Sequence, residues 1–276
     1  VLLLTDDYTI PELSLKNHIA NPERFPIFPT LFLTIACGAI SGFHATQSPL
    51  MARCLTNENQ CRPVFYGAMI SESIIALIWA AIAMAFWGDV EGLNGALAAN
   101  RNNASVLVDM IANKTLGHTI AVVVMFGVVG AAITSGDTAY RSARLMIADA
   151  LGIEHKTLWK RVAVSLPIFA AGVFIILATD FRTLWSYFAW FNQTLSVFTL
   201  WAICIFLVRR RGPVVIAMIP AVFMTYICSC YLFTSAQMLG LSTTLGNILA
   251  GVLTLIITLY YIYVFNSEVR NAKTTA

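Results

Sequence analysis

Apolar residues run in blocks of about 20 along this chain, long enough for each block to cross the roughly 30 Å hydrocarbon core of a bilayer as a helix. Seven blocks can be read, at residues 27–50, 63–87, 117–137, 161–178, 184–208, 213–235 and 242–266. Polar segments alternate with them: a lead-in at 1–26, closed by Pro22, Pro26 and nearby Pro29, a short loop at 51–62, and an excursion at 88–116 in which a short helix is predicted. The third block should run on past its apolar part, because Ala139, Ala143, Ile147 and Ala148 recur at helical spacing between Asp137 and Leu151 before Gly152 ends the pattern. No heptad run, short-period repeat or low-complexity segment interrupts this order. The pattern predicts an all-α polytopic membrane protein with about seven transmembrane helices. One transmembrane domain at 27–266 lies between the lead-in and a tail at 267–276.

The first block differs from the rest. It contains Cys37-Gly38-Ala39-Ile40-Ser41-Gly42-Phe43-His44-Ala45-Thr46-Gln47-Ser48-Pro49, a glycine-broken polar run. Gly38 and Gly42 permit backbone conformations closed to other residues and Pro49 has no N–H to donate, so the helix can open near its middle. Open backbone and ionisable groups at bilayer depth are tolerated only where they face protein or a watery cavity. Discontinuous helices of this kind form the substrate and ion sites of secondary transporters, with half-helix N-termini facing anionic groups. The alternative is that Gly38 and Gly42, four apart, form a close-packing face. His44 lies about 25 Å along the block if the helix is straight, and its side chain suits either proton carriage or a bond to a neighbouring carbonyl. Ser41, Gly42, His44, Thr46 and Gln47, with Gly38, are the substrate-site candidates here.

Three other places put polar residues in apolar surroundings. Thr134, Ser135, Asp137 and Thr138 gather hydroxyls and a carboxylate, a set that suits a hard cation or a relayed proton. Equally, Asp137 can pair with Arg141 one turn on, with Arg144 on nearly the same face. Glu72, nine residues past Pro63, must be paired, protonated or facing water, and so is either a proton relay or a buried structural partner. Asn192 and Gln193 interrupt the fifth block after Trp185, Tyr187, Phe188 and Trp190, where amides line a cavity or join helices.

Composition agrees with the membrane reading and removes other classes. Hydrophobic residues make up 58% of the 276 and charged residues 11%, against about 25% charged in soluble domains. A net charge of +3, scattered along the chain, gives no basis for nucleic-acid binding. Lys and Arg distribute unequally across alternate loops: twelve fall with Arg53, Arg62, Arg141, Arg144 and Arg209–Arg211, and five with Lys16, Arg24, Arg101, Lys114 and Arg182. The richer side should be cytoplasmic, which places the tail inside and the lead-in outside a cell membrane. An outside start, with no initiator Met or signal peptide, is expected of a chain that begins in mid-protein. Cys37, Cys54, Cys61, Cys204, Cys228 and Cys230 lack the spacing and His partners of a zinc site, and neither a metal nor a cofactor is expected. No H-E-x-x-H, nucleophile–base or paired-carboxylate arrangement suggests an enzyme.

The run CGAISGFHATQSP, the span PVFYGAMISESIIALIWAAIAMAFWG and the segment TSGDTAYRSARLMIAD, in this order, closely resemble the carbon-starvation protein A family. The resemblance extends from about Phe25 to Arg211 and is nearest to the shorter members, because His44 is followed by Ala-Thr-Gln-Ser-Pro. That family is similar to the amino acid, polyamine and organocation transporters, which have two inverted five-helix repeats in a leucine-transporter-like fold. The resemblance implies that the seven spans correspond to helices six to twelve, that the first is the broken helix opening the second repeat, and that an N-terminal transmembrane half is a missing partner. It also implies that Thr134 and Ser135 fall where sodium-coupled relatives bind a cation, with Asp137 able to substitute a proton. The function expected from it is proton-coupled (or sodium-coupled) uptake of pyruvate or a similar small carboxylate during starvation. Peptide uptake and a sensor or channel are the alternatives.

Overall fold

The computed structural model describes residues 26–35, 40–100, 103–153, 157–179 and 181–274, with the side chains of 181, 182 and 269–274 left aside. The predicted lead-in therefore lies outside the described residues, as does Gly38. Among the described residues the elements are helical and no strand occurs. Six helices are long and apolar enough to cross a membrane, and the protein is an all-α polytopic membrane protein.

The first predicted span is the exception to continuous helix. It is divided into α1 (Ile27–Thr34) and α2 (Gly42–Ala52). A 3-10 turn at Glu58–Gln60 and a π-helical turn at Arg62–Gly67, with Pro63 at its start, lead without a stop into α3 (Ala68–Phe86). The excursion holds two helices where one was expected: α4 (Val90–Ala99), capped by Asp89 accepting from Gly92 N at 2.6 Å, and α5 (Ala104–Leu116), capped by Asn103 accepting from Ser105 N at 3.0 Å. Asp and Asn are favoured at these positions because their side-chain oxygens take up amides that a helix start leaves unpaired. Then follow α6 (His118–Ala150), α7 (Leu158–Ala178), α8 (Phe181–Arg209), α9 (Val215–Thr234) and α10 (Thr243–Thr274). The 33-residue α6 carries the third span through its amphipathic continuation, and Gly152, at φ 66°, closes it with Ile153 N donating to Ala148 O at 2.8 Å.

The described residues fall into two compact units, 56–169, and 26–55 with 170–274. In the first, α5 buries Leu107, Ile111 and Ala112 and packs on α6, where Ala121 is buried. Lys114 lies over the Phe86 ring at 5.2 Å, and Tyr140 stacks on Phe169 at 4.2 Å. In the second, α9 packs against both α8 and α10 around Val197, Trp201, Cys204, Ala217, Ala221, Met224 and Cys228. Lipid tails are as apolar as these side chains, so close packing and buried hydrogen bonds carry this association. Trp201 shows both: it stacks on Tyr261 at 4.3 Å and 7°, and its indole N–H donates to Thr225 Oγ1 at 3.1 Å.

Candidate functional site: a discontinuous helix held by two adjacent amides

The break between α1 and α2 is set by its own residues and by α8. Ser41 leaves the helical region, at φ −115° and ψ 127°, and its Oγ accepts from Phe43 N at 3.2 Å as the cap of α2. Asn192 on α8 makes the stronger bond to the same end: its Oδ1 accepts from Phe43 N at 2.7 Å while its Nδ2 donates to Ser41 Oγ at 3.2 Å. The next residue, Gln193, reaches the other half. Its Nε2 donates to the carbonyl of Phe32 near the end of α1 at 3.1 Å, and its Oε1 accepts from Ser196 Oγ at 3.2 Å. Asn192 is 7% exposed and Gln193 1%. One pair of consecutive amides thus serves a donor and an acceptor that an unbroken helix would have satisfied within itself.

Gly42 is what lets α2 come this close. A Cβ there would meet the Asn192 carbonyl, would lie 2.6 Å from Leu195 Cβ and 2.8 Å from Ser196 N, and could not be accommodated without moving α8 backbone. Gly42 itself is helical, the first residue of α2, so the structure shows the close-packing reading of this glycine, while the chain leaves helical geometry at Ser41. On the other flank Leu33 is buried with Ile227 and Tyr231 of α9, with Phe32 packed against them, and the Trp190 indole N–H donates to Cys228 O at 3.0 Å.

Of the predicted substrate residues, Ser41, Gly42, Asn192 and Gln193 are brought together directly. Thr46 and Ser48 spend their hydroxyls on their own helix, donating to Phe43 O and His44 O, each at 2.7 Å. His44 lies in the first turn of α2 and is half-buried. Gln47 lies one turn further along the same helix. The sequence reading did not single out the backbone groups of Phe32 and Phe43, which are what the two amides actually hold; no side-chain pattern marks them.

The coupling candidates Glu72, Thr134, Ser135, Asp137 and Thr138 belong to the other compact unit. On α6, Asp137 accepts from Arg141 Nη2 at 2.7 Å, the helical ion pair anticipated as one of its two roles. Thr134 Oγ1 donates to Ala131 O at 3.0 Å and Thr138 Oγ1 to Thr134 O at 2.8 Å. Glu72 is exposed on α3, and neighbouring Ser71 donates to Gly67 O at 3.0 Å rather than to it. Among the described residues, no group of three or more His, Cys, Asp or Glu side chains is arranged to hold a metal ion.

A polytopic helical membrane protein containing a discontinuous helix, with the positive end of one half-helix capped by a neutral amide, is the class these features define. Residues 1–115 match the family model of the carbon starvation protein CstA. A Haemophilus influenzae protein of uncharacterised function is 39% identical over 114 residues, which is 41% of this chain and 82% of that protein. The "Peptide transporter CstA" of Helicobacter pylori strain J99 is 27% identical over 259 residues, covering 71% of this chain and 38% of that one. The "Pyruvate/proton symporter BtsT" of Escherichia coli K12 is 51% identical over 53 residues, covering 19% and 7%. No solved structure matches. Through residues 1–115 the chain is CstA-like. It spans little more than a third of the Helicobacter transporter and a much smaller part of the Escherichia symporter.

Proposed function

We propose that this chain acts within a proton-coupled secondary transporter that takes up pyruvate or a similar small carboxylate, with α1 and α2 forming one side of the substrate site. The observation that carries the reading is the break itself, whose α2 N-terminus receives the Asn192 side-chain oxygen on Phe43 N–H. A helix N-terminus favours an anion over a neutral oxygen at that place. An arriving carboxylate would displace Asn192 Oδ1, leaving Gln193 to hold α1. His44, in the same turn of α2, is the proposed proton carrier beside the substrate, and Asp137, released from Arg141, the second. A further transmembrane half of the same protein would supply the facing helix. The preponderance of Lys and Arg supports a cytoplasmic-membrane location with the tail on the cytoplasmic side.

Peptide uptake is the second reading, favoured by the name of the Helicobacter relative. Proteoliposomes holding the complete protein distinguish the two: labelled pyruvate is compared with labelled di- and tripeptides, with and without an imposed proton gradient. Gradient-stimulated pyruvate uptake that is lost in His44→Gln and in Asp137→Asn, at unchanged expression, is expected. Unimpaired uptake in both variants would remove these residues from the mechanism, and peptide uptake alone would replace the substrate assignment.

A further inference from the structure

A groove of about 530 Å³ lies along α9 and α10, walled by Met218, Val222, Phe223 and Tyr226 on one helix and by Gly251 and Thr254 on the other. Nothing lies within 4 Å of where a Gly251 Cβ would be, so the glycine leaves the groove floor open. On α9 the lining runs from the fourth residue to the twelfth, about 5 to 16 Å from the helix start at 1.5 Å per residue. That depth corresponds to one leaflet of a hydrocarbon core about 30 Å thick. A transmembrane helix seated here would continue through both leaflets, whereas an acyl chain ends where the groove ends.

The end of the groove nearest the membrane surface is the positively charged one. Arg209 ends α8, and Arg210 and Arg211 lie in the turn before Gly212-Pro213-Val214 leads into α9. Arg209 is committed to Glu268 through two bonds, Nε to Oε2 at 2.9 Å and Nη2 to Oε1 at 2.8 Å. Arg210 leans over the Phe206 ring at 5.6 Å. Arg211 is held at φ 55°, where its N–H donates to Val208 O at 3.1 Å and the next amide, Gly212 N, donates to Leu207 O at 2.8 Å. Among the described residues, neither Arg210 nor Arg211 has a carboxylate partner. Both are exposed. Two guanidiniums without a carboxylate partner, eight and seven residues ahead of Met218 where the apolar lining begins, suit a phosphate headgroup whose chain enters the groove.

From this juxtaposition we propose that α9, α10 and the Arg210–Arg211 turn form a binding site for one anionic phospholipid, the headgroup on the arginines and an acyl chain between Val222 and Gly251. Two walls of the site also touch the broken helix: Phe223 meets Phe32 edge-on at 5.1 Å and Tyr226 meets Phe28 at 5.8 Å. A bound chain would therefore lie next to the side chains that α1 packs on.

Native mass spectrometry of the complete detergent-purified protein, offered equimolar phosphatidylglycerol and phosphatidylcholine, tests the site. The wild type should retain phosphatidylglycerol preferentially. The preference should fall about fivefold for each arginine replaced in Arg210→Gln and Arg211→Gln. Gly251→Phe, which keeps every charge and fills the groove, should lower retention of both lipids while leaving their ratio alone. Equal retention of the two lipids by the wild type overturns the headgroup assignment, and unchanged retention in Gly251→Phe overturns the groove. Displacement of phosphatidylglycerol by inorganic phosphate would show a free-anion site in place of a lipid site.

Discussion

Replacing Gln193 by Met tests whether the break in the first span is held by α8. The substitution keeps an unbranched side chain of similar length and removes the amide. Ser196 Oγ loses its 3.2 Å contact with Gln193 Oε1 but keeps its 2.6 Å bond to the Gln193 backbone carbonyl, so the net deficit falls on one group, the Phe32 carbonyl near the end of α1. An unsatisfied, half-buried carbonyl in this setting costs about 1–3 kcal/mol. By comparison, Asn192→Ala should cost about 0.5–1 kcal/mol, the lower part of the range for a lost N-cap, because Ser41 Oγ remains on Phe43 N–H. At about 2–4 °C per kcal/mol for a domain of this size, Gln193→Met lowers the melting temperature of the detergent-solubilised protein by roughly 2–12 °C, and by more than Asn192→Ala does. Scanning fluorimetry gives the order, and hydrogen exchange places the loss at α1 for one variant and at Phe43 for the other. The reasoning fails if Asn192→Ala costs as much as Gln193→Met, or if neither variant changes exchange at the break.

Gly42→Ala drives a methyl group into the Asn192–Ser196 backbone and should destabilise by about 1–3 kcal/mol, measured as a lowered melting temperature with weakened cysteine cross-linking between α2 and α8. Asp137→Asn removes an ion pair whose partners are 64% and 56% exposed, so stability should change by no more than about 0.3–0.5 kcal/mol; a complete loss of gradient-driven uptake alongside an unchanged melting temperature would assign Asp137 to coupling rather than to structure. Thr225→Val leaves the buried Trp201 indole N–H without its acceptor and should cost about 1–3 kcal/mol, with a shift in tryptophan emission as a second readout. Arg211→Gly relieves a positive φ in a non-glycine residue and should stabilise by about 1 kcal/mol in phosphatidylcholine, a gain seen in denaturant midpoints.

Much of this architecture could be read from residue order, and the exceptions have definable causes. Apolar block length located the six long helices, and the polar run around Ser41 and Gly42 located the discontinuity, whereas Pro49, expected to help open the helix, lies inside continuous α2. Helical spacing after Asp137 likewise foretold that α6 runs on to Ala150. The excursion yielded one helix in place of two, although Asp89 and Asn103, each at a position where an amide-accepting side chain starts a helix, were signals that could have separated α4 from α5. The π-helical turn at Arg62–Gly67 has no comparable signature. Asn192 and Gln193 stood out as polar interruptions, yet what they bind is about 150 residues away in the chain and is main chain, which every residue carries alike. Partner identity of that kind depends on tertiary contact and is not encoded near either end.

Two consecutive residues of a helix leave its axis about 100° apart and only 1.5 Å apart in height. The bonds from Asn192 to α2 and from Gln193 to α1 therefore act like two spokes on one hub. A turn or slide of α8 as a rigid rod pulls on both half-helices at once, on α2 through Asn192 and on α1 through Gln193 against its seat on α9. Parting α1 from α8 breaks the Gln193 bond and parting α2 breaks the Asn192 bond, so the two separations report at different places, one at Phe32 and the other at Phe43.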